Sequence, residues 1–243
     1  IANDNHIILT KRDTSSLADI QHKNVLVTAD NIVAAEKASL VVLAVQPAQL
    51  QGVLAEIKVV LDPKQQTIIS VATAVTINQI TDTIGQEFAV IRAMPNTAIA
   101  VLESMTSIAA KDKGNNQLDQ VKMIFDCVGK TMLIHEELMQ AATVVCASGI
   151  AFWMRFIRAT TQGGVQLGFD AEDAQEIAVQ TCLGAASLLA GTGNHPESEI
   201  DRVTTPQGCT IAGLNEMEHN GLSSALIKGL VTSYERITNM KEK

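Results

Sequence analysis

The stretch LVVLAVQPAQLQGVLAEIKVVL, residues 40–61, decides the fold class of this chain of 243 residues. Its first six residues form an apolar run of strand length, and Pro47 then opens a segment with apolar residues at helical spacing. The same alternation continues on both sides, with predicted strands at residues 7–9, 25–27, 40–45, 67–71 and 88–91 and predicted helices at residues 15–21, 31–37, 47–61 and 76–84. Strands that alternate with helices predict a parallel, doubly wound α/β sheet of the Rossmann-like, dinucleotide-binding type.

The chain changes character after a last predicted strand at residues 130–134. From Glu136 onward the pattern is helical, so we expect a Rossmann-like domain over residues 1–135 and an all-α domain over residues 136–243. The segment 171–190 is apolar nearly all round, and a helix of that kind must be buried on all sides. Dimerisation would bury it, and the alternative is a monomeric helical domain packed on the sheet.

The composition argues against several classes of protein. The net charge is −8 and no stretch is rich in Lys or Arg, which argues against a nucleic-acid partner. The longest apolar run, residues 144–153, is well short of the roughly 20 residues that cross a bilayer, so we expect no membrane partner. The cysteines show no CxxC spacing and no neighbouring His pair, so neither a disulfide nor a metal site is indicated; they are Cys127, Cys146, Cys182 and Cys209. These features are typical of a reduced, cytoplasmic protein.

A Gly-x-Gly-x-x-Gly turn normally binds the pyrophosphate in dinucleotide folds, and this sequence has none. The sequence also begins at Ile1 without Met, so we expect that a first strand and helix are missing and that a protein starting there has little or no activity. Residues 7–9 would then form the second strand, whose end approaches the adenosine ribose and reads Thr10-Lys11-Arg12. Basic residues at this point favour the additional phosphate of NADPH. The alternative is a solvated pair of loop residues.

A second candidate site lies in VTTPQGCTIAGL, residues 203–214. Pro206 and Gly208 predict a tight turn directly before a helix, whose first amides have no intrahelical acceptor and can bind a carboxylate. Thr210 lies in the first turn of that helix, where its hydroxyl can reach a polar atom of the bound group. The alternative is ordinary helix capping.

This block, with Asn215-Glu216-Met217-Glu218 after it, closely resembles the C-terminal signature of pyrroline-5-carboxylate reductase. The resemblance spans essentially the whole chain. LAVQP at residues 43–47 resembles a family turn with Ala-Val-Lys-Pro, SVATAVTI at residues 70–77 resembles Ser-x-Ala-Ala-Gly-Val-Thr-Ile, and RAMPNTA at residues 92–98 resembles Arg-x-Met-Pro-Asn-Thr-Pro. The chain departs from the family at Ile150, where Pro is common, and at Gln207, where Gly is common. The loss of Pro removes a helix kink, and the loss of Gly restricts the turn beside the carboxylate seat.

The resemblance implies a nicotinamide cofactor, NADPH with NADH as the alternative, bound along the ends of the strands. It implies small side chains near the nicotinamide and polar contacts at the adenosine end. The cofactor-binding residues that we expect are Thr10, Lys11, Arg12, Asn31, Ala44, Val45, Gln46, Pro47, Ala72 and Asn96. Local alternatives exist for two of them, a helix N-cap for Asn31 and an Asx-type turn for Asn96.

The resemblance also implies a reaction, the transfer of hydride to the C=N carbon of Δ1-pyrroline-5-carboxylate to give L-proline, the last step of proline biosynthesis. The amides of Cys209 and Thr210 would anchor the carboxylate, and the hydroxyl of Thr210 would act catalytically at the ring nitrogen. The implied substrate-binding residues are Thr204, Thr205, Pro206, Gly208, Cys209 and Thr210. The implied assembly is an interlocked homodimer or a higher oligomer of dimers.

Two other functions are compatible with this type of fold. One is a non-catalytic regulatory homologue that binds a nucleotide or metabolite without turnover. The other is a dehydrogenase of β-hydroxyacids, which depends on a catalytic Lys in the middle of the helical domain. Residues 136–221 contain no Lys, which argues strongly against the dehydrogenase.

Overall fold

The computed structural model describes residues 7–17, 20, 25–111 and 116–239. The chain forms two compact units, one of Ile1–Ala147 with Arg236–Lys243 and one of Ser148–Glu235. The first unit contains the strands and the second is helical, as the sequence pattern predicts.

Parallel strands form the framework of the first unit. Strand β1 (Ile8–Thr10) pairs in parallel with β2 (Leu26–Thr28). The other strands form one sheet in chain order: β3 (Leu40–Leu43), β4 (Thr67–Ser70), β5 (Ala89–Met94), β6 (Ser104–Ala110) and β7 (Gly129–Leu133). All neighbouring pairs are parallel except β5 and β6. Strands β3, β4 and β5 therefore end at one edge of the sheet, where open α/β sheets bind their ligands.

The helices of the first unit begin where the sequence provides caps. They are α1 (Asn31–Lys37), α2 (Pro47–Ile57), α3 (Ile77–Ile84) and α4 (Asn116–Asp126), with 3₁₀ turns at Ser15–Leu17, Lys58–Val60, Thr97–Val101 and Glu136–Leu138. Asp30 caps α1, and Thr76 caps α3 through a reciprocal capping box with Gln79. Pro47 occupies the first turn of α2, where its missing N–H has no cost.

The core of the first unit lies between the sheet and these helices. Leu50 and Leu54 of α2 and Ile80 of α3 are fully buried in one cluster with Ile68 of β4. Each buried side chain of this size contributes roughly 1.5–3 kcal/mol relative to its exposed state. This packing fixes the positions of α2 and α3 behind the loops at the carboxyl edge.

Two elements of the sheet unit are absent from the sequence prediction. Strand β6 contains polar residues, but Ser104, Thr106 and Ser107 are all buried, and the Ser104 and Thr106 hydroxyls lie 3.2 Å apart in a hydrogen bond. Because these residues are polar, the sequence pattern does not predict a buried strand here. Helix α4 is the other missing element. The predicted helix at residues 15–21 is wrong at its start, where a 3₁₀ turn spans Ser15–Leu17, and most of its remainder lies outside the described residues.

After β7 the chain is helical, as predicted. The helices are α5 (Met139–Ala142), α6 (Gly149–Gln166), α7 (Ala171–Thr192), α8 (Pro196–Val203), α9 (Cys209–His219) and α10 (Leu222–Asn239), and a π turn at Thr143–Ser148 joins α5 to α6. Helices α6 and α7 approach closely where Gly164 faces the Ala174 side chain. In α7 only Ala174 and Ala178 are buried, so most of this apolar helix is exposed in the single chain.

The helical passage Glu136–Gln166 is long and apolar enough to cross a membrane by length and composition, the one such passage among the described residues. Only 17% of its most apolar window is buried. A single passage of this kind is weak evidence of a membrane span, because core helices of soluble proteins meet the same criteria.

Candidate functional site

The carboxyl edge of the first unit brings together the loops in which the sequence predicts the cofactor. Gln46, Ala72 and Asn96 follow β3, β4 and β5 respectively, and all three strands end at this edge. Ala44 and Val45 lead from β3 to Gln46, which is the N-cap residue of α2 and makes no side-chain capping hydrogen bond. Pro47 has no N–H and the Gln49 amide donates to the Gln46 carbonyl at 2.9 Å, so in this first turn the Ala48 amide is the donor left for an anionic group.

The loop after β1 contains the predicted basic pair. Thr10, Lys11 and Arg12 are all exposed. The Lys11 ammonium donates a hydrogen bond of 2.6 Å to Ser16 Oγ, which curls its side chain back over the following turn. Asp13 comes next, and hydrogen bonds from Ser15 hold the pKa of its carboxyl below the ordinary value. The loop thus places two basic side chains beside one carboxylate.

Asn31 occupies the first position of α1 and does not cap it. The N-cap alternative for Asn31 is wrong, because the Asp30 carboxylate accepts the hydrogen bonds from the amides of Ile32 and Val33. The Asn31 side chain instead donates to Glu56 Oε2 of α2 at 3.0 Å. It therefore ties the start of α1 to the last turn of α2.

The loop after β4 has a tight backbone. Ala72 is 3% exposed, and its amide donates to Ser70 Oγ at 3.3 Å. Ala74 has φ +65°, a left-handed conformation that costs a residue with a Cβ roughly 1–2 kcal/mol. The family pattern has Gly at this position, so the chain keeps a glycine conformation without the glycine.

Asn96 is buried, and it uses its backbone and its side chain in four hydrogen bonds, one of which its carbonyl accepts from the Ile99 amide at 3.1 Å. Its Oδ1 accepts from the Ala98 amide at 3.0 Å, which is the predicted Asx-type turn. Its backbone amide donates to Ser104 Oγ at 3.1 Å. Its Nδ2 donates to the carbonyl oxygen of Cys146 at 3.0 Å. The side chain therefore points into the protein, toward the π turn.

Arg92 and Glu136 form an ion pair that the sequence analysis did not find. Arg92 Nη1 lies 3.2 Å from Glu136 Oε1, which also accepts the Ile77 amide at the start of α3 at 2.7 Å. The arginine is only 3% exposed, and its Nε has no hydrogen-bond partner. Burial lowers the pKa of Arg92, and the bond to Glu136 opposes that shift. The available signal was one arginine inside an apolar strand, AVIRAM.

The second candidate site is the start of α9, in the helical unit. Gly208 is the N-cap residue and cannot provide a side-chain cap, and Cys209 and Thr210 occupy the first two positions of the helix. Their amides precede the first intrahelical hydrogen bonds, so they are donors suited to a carboxylate, and the helix dipole favours the negative charge. The sequence places these residues correctly at a helix start.

A turn with strained backbone leads into this helix. The Gly208 amide donates to the Thr205 carbonyl at 2.9 Å, with Pro206 and Gln207 at the two central positions. Gln207 has φ +60°, the conformation that a type II turn requires at its third residue and that favours glycine. A Cβ at Gly208 would lie 2.5 Å from Thr205 Oγ1 and 3.0 Å from the Thr205 carbonyl oxygen, so a larger residue there would displace Thr205.

The remaining predicted residue of this site has a structural role. Thr204 ends α8, and its hydroxyl donates to the Asp201 carbonyl at 3.1 Å. His195 is the N-cap of α8, and its Nδ1 accepts the Glu197 amide at 3.2 Å. Among the residues that the structure describes, His, Cys, Asp and Glu side chains form no cluster of three that suits a metal ion.

Comparison with known proteins gives the family. Pyrroline-5-carboxylate reductase 2 of Dictyostelium discoideum is 45% identical over 96% of this chain and 83% of its own length. The chain belongs to the pyrroline-5-carboxylate reductase family. A second relative, pyrroline-5-carboxylate reductase 1 of the same organism, is also 45% identical, over 97% of this chain, and this chain spans 45% of that relative's length.

Family models and solved structures agree with this membership. The model for pyrroline-5-carboxylate reductase dimerisation matches residues 136–240, and the model described as NADP oxidoreductase, coenzyme F420-dependent, matches residues 1–74. A pyrroline-5-carboxylate reductase from Coxiella burnetii superposes with a TM-score of 0.90 at 29% identity, over 98% of this chain and 89% of that one. Plasmodium falciparum pyrroline carboxylate reductase with NADP bound has a TM-score of 0.87 at 22% identity, over 99% and 89%, a likeness of fold alone. The predicted family and fold class are confirmed.

Proposed function

We propose that the protein is a cytoplasmic enzyme that reduces Δ1-pyrroline-5-carboxylate to L-proline with NADPH. The observation that carries this proposal is the start of α9, where Gly208 leaves the amides of Cys209 and Thr210 without a side-chain cap inside the family signature. A five-membered cyclic imine with one carboxylate fits this binding site, because the site provides backbone donors for the carboxylate and one hydroxyl beside them.

The chain has to orient the substrate rather than to protonate it strongly. A protonated imine is already a good electrophile, and the 203–214 segment contains neither His nor a carboxylate side chain. We assign carboxylate binding to the Cys209 and Thr210 amides. The Thr210 hydroxyl accepts the hydrogen bond of the ring N–H and sets the ring face that is presented. The turn of Thr205, Pro206 and Gly208 holds these donors in place.

The described residues at the carboxyl edge fit a dinucleotide. The Ala48 amide at the start of α2 is one donor for a phosphate, and the small Ala72 leaves room at the end of β4. In the loop after β1, the exposed Lys11 and Arg12 suit a phosphate on a ribose. When bound, the nicotinamide cofactor supplies the hydride. We assign the cofactor contacts to Thr10, Lys11, Arg12 and Asn31 at the ends of β1 and β2, and to Ala44, Val45, Gln46, Pro47, Ala72 and Asn96 at the ends of β3, β4 and β5.

We assign a homodimer as the minimal assembly. Helix α7 exposes large apolar side chains around its circumference, and the family model for dimerisation covers this helix; the exposed residues are Ile177, Val179, Leu183 and Leu188. A patch of this kind is costly in water and marks an interface. We expect a second copy of the chain to cover it, together with the exposed face of α6 that gives the Glu136–Gln166 passage its membrane-like composition.

Turnover tests the reaction. NADPH oxidation is followed by absorbance with Δ1-pyrroline-5-carboxylate, using the full natural chain, Thr210→Ala and Thr210→Ser. We expect kcat/KM to fall about ten- to a hundredfold in Thr210→Ala, the loss of one hydrogen bond to a polarised group, while Thr210→Ser retains the hydroxyl and most of the activity. A folded, NADPH-binding protein without turnover would leave a non-catalytic homologue as the better assignment.

The cofactor preference and the dimer have separate tests. Arg12→Ala should raise the KM for NADPH more than the KM for NADH, because only NADPH carries the ribose phosphate. Leu183→Asp should lower the mass measured by light scattering to that of a monomer. Val59→Asp is its control, since Val59 is equally apolar and 77% exposed but lies in the first unit. Equal masses for both variants would contradict the assigned interface.

A further inference from the structure

The π turn Thr143–Ser148 interrupts an otherwise α-helical passage between α5 and α6. A π turn places one extra residue in a helical turn, is rare, and occurs mostly at functional sites. Each inserted residue displaces all later residues around the helix axis by about 100° relative to an uninterrupted α-helix. The turn therefore decides which side chains of α6 lie on which side of that helix.

A side chain from the sheet holds the turn at its centre. Asn96 Nδ2 donates to the Cys146 carbonyl oxygen at 3.0 Å. Asn96 is itself rigid, because its Oδ1 accepts the Ala98 amide at 3.0 Å and its own amide donates to the buried Ser104 hydroxyl at 3.1 Å. With Oδ1 committed to the Ala98 amide, the orientation of the side-chain amide is fixed and Nδ2 faces the turn.

The backbone alone does not require a π turn here. In an uninterrupted α-helix the donor to the Cys146 carbonyl is the amide of the residue four positions later, Ile150, and Ile150 has an N–H group. The chain from 143 to 150 contains no proline that would block the α register. An interaction from outside the helix must therefore select the π register. The hydrogen bond that the buried Asn96 amide donates to Cys146 is such an interaction.

We propose that Asn96 is a positioning residue whose side-chain amide holds the Cys146 carbonyl in the π turn and thereby sets the helical register of α6. Its place after β5 links this register to the strand end where we place the nicotinamide. Without the amide donor, the passage relaxes to the α register, with Ile150 donating to Cys146. The effect on catalysis rests on the proposed function, whereas the effect on register does not.

The single tryptophan of the chain reports the register directly. Trp153 lies seven residues after Cys146 on α6, is 57% exposed, and contacts Phe156 with ring centroids 5.8 Å apart. A change of register moves this indole around the helix axis, so its fluorescence emission and its quenching by acrylamide must change. This readout depends on neither substrate nor cofactor.

Two variants distinguish the hydrogen bond that Asn96 donates to Cys146 from the one that it accepts from the Ala98 amide. Asn96→Asp keeps an oxygen for the Ala98 amide but replaces the donor to Cys146 with a carboxylate oxygen that repels the carbonyl, whereas Asn96→Ala loses both hydrogen bonds and adds no charge. We expect both variants to shift Trp153 emission and to lower kcat about tenfold or more, with a smaller change in the KM for the imine, because a misplaced group costs rate more than binding. Wild-type emission and quenching in folded Asn96→Asp and Asn96→Ala proteins would overturn the proposal.

A second substitution provides the rescue. Ile150→Pro removes the N–H that the α register needs, so it should restore wild-type Trp153 emission in the Asn96→Ala background. Persistence of the shifted emission in the double variant would overturn the proposal. If the Asn96 variants do not fold, Ile150→Pro alone decides. Unchanged emission supports the proposal, because the Cys146 carbonyl then needs no hydrogen bond from Ile150, and shifted emission overturns it, because the Ile150 amide is then the native donor.

Discussion

The ion pair of Arg92 and Glu136 provides the sharpest prediction about stability. At the observed separation of 3.2 Å, two unit charges attract by about 5 kcal/mol at an effective dielectric constant of about 20. Much of this attraction offsets the desolvation of Arg92, and Glu136 is 28% exposed, which screens the pair. Glu136→Gln keeps an oxygen for the Ile77 amide and loses the charge, so we expect it to lower the free energy of unfolding by about 2 kcal/mol.

Glu136→Ala should cost more, about 3–5 kcal/mol, because it leaves a buried guanidinium and the Ile77 amide without their acceptor. Urea unfolding of the two variants and the wild type, with the midpoint and slope fitted together, measures both differences. The double variant Arg92→Met/Glu136→Ala should recover part of the loss, since methionine buries no charge. The reasoning would be refuted if Glu136→Ala cost less than about 1 kcal/mol, or if the double variant were no more stable than Glu136→Ala.

Three further predictions concern backbone strain and a surface turn. Gln207→Gly should raise the free energy of unfolding by up to about 1 kcal/mol, because φ +60° strains a side chain and not glycine; a lower melting temperature would contradict this. Gly129→Ala should destabilise by about 3 kcal/mol or more in urea, because a Cβ at φ +146° would overlap the Ser104 backbone, and an effect under about 1 kcal/mol would be inconsistent with that contact. Hydrogen bonds, first from the Lys64 amide, lower the pKa of Asp62, so its stabilisation is present above about pH 4 and is lost as the pH falls through the lowered pKa; the stability gap to Asp62→Asn should therefore shrink between about pH 6 and pH 3.

The local patterns of the sequence predict the elements that depend on local chemistry. Pro47 opens α2 and Thr76 caps α3, as their positions before apolar segments indicate. Strand β6 escaped prediction because tertiary burial satisfies Ser104 and Thr106 through each other, and no local pattern reveals that. The capping of α1 is a local matter, and the error there has another cause: Asp30 and Asn31 are both good cap residues, and the sequence alone does not show that α1 begins one residue after Asp30.

The candidate site shows the same limit. The start of α9 was predictable, since Pro206 and Gly208 before a helical pattern define it within a few residues. The contacts of Glu136 were not, because they join residues 44 and 59 positions apart in the chain. The left-handed conformation of Gln207 is imposed by the turn in which it lies. Its residue type would predict a negative φ.

The hydrogen bonds from β5 and its following loop to the helical passage have a consequence for how the protein can be divided. Arg92 binds Glu136 and Asn96 binds Cys146, so the passage up to Ala147 belongs to the same compact unit as the sheet, although the family model for dimerisation begins at residue 136. A fragment that ends at residue 135 would leave the Arg92 guanidinium and the Asn96 side-chain amide without their acceptors. Modular exchange between relatives should therefore join chains after the π turn, past residue 148, so that Arg92 and Asn96 keep their acceptors.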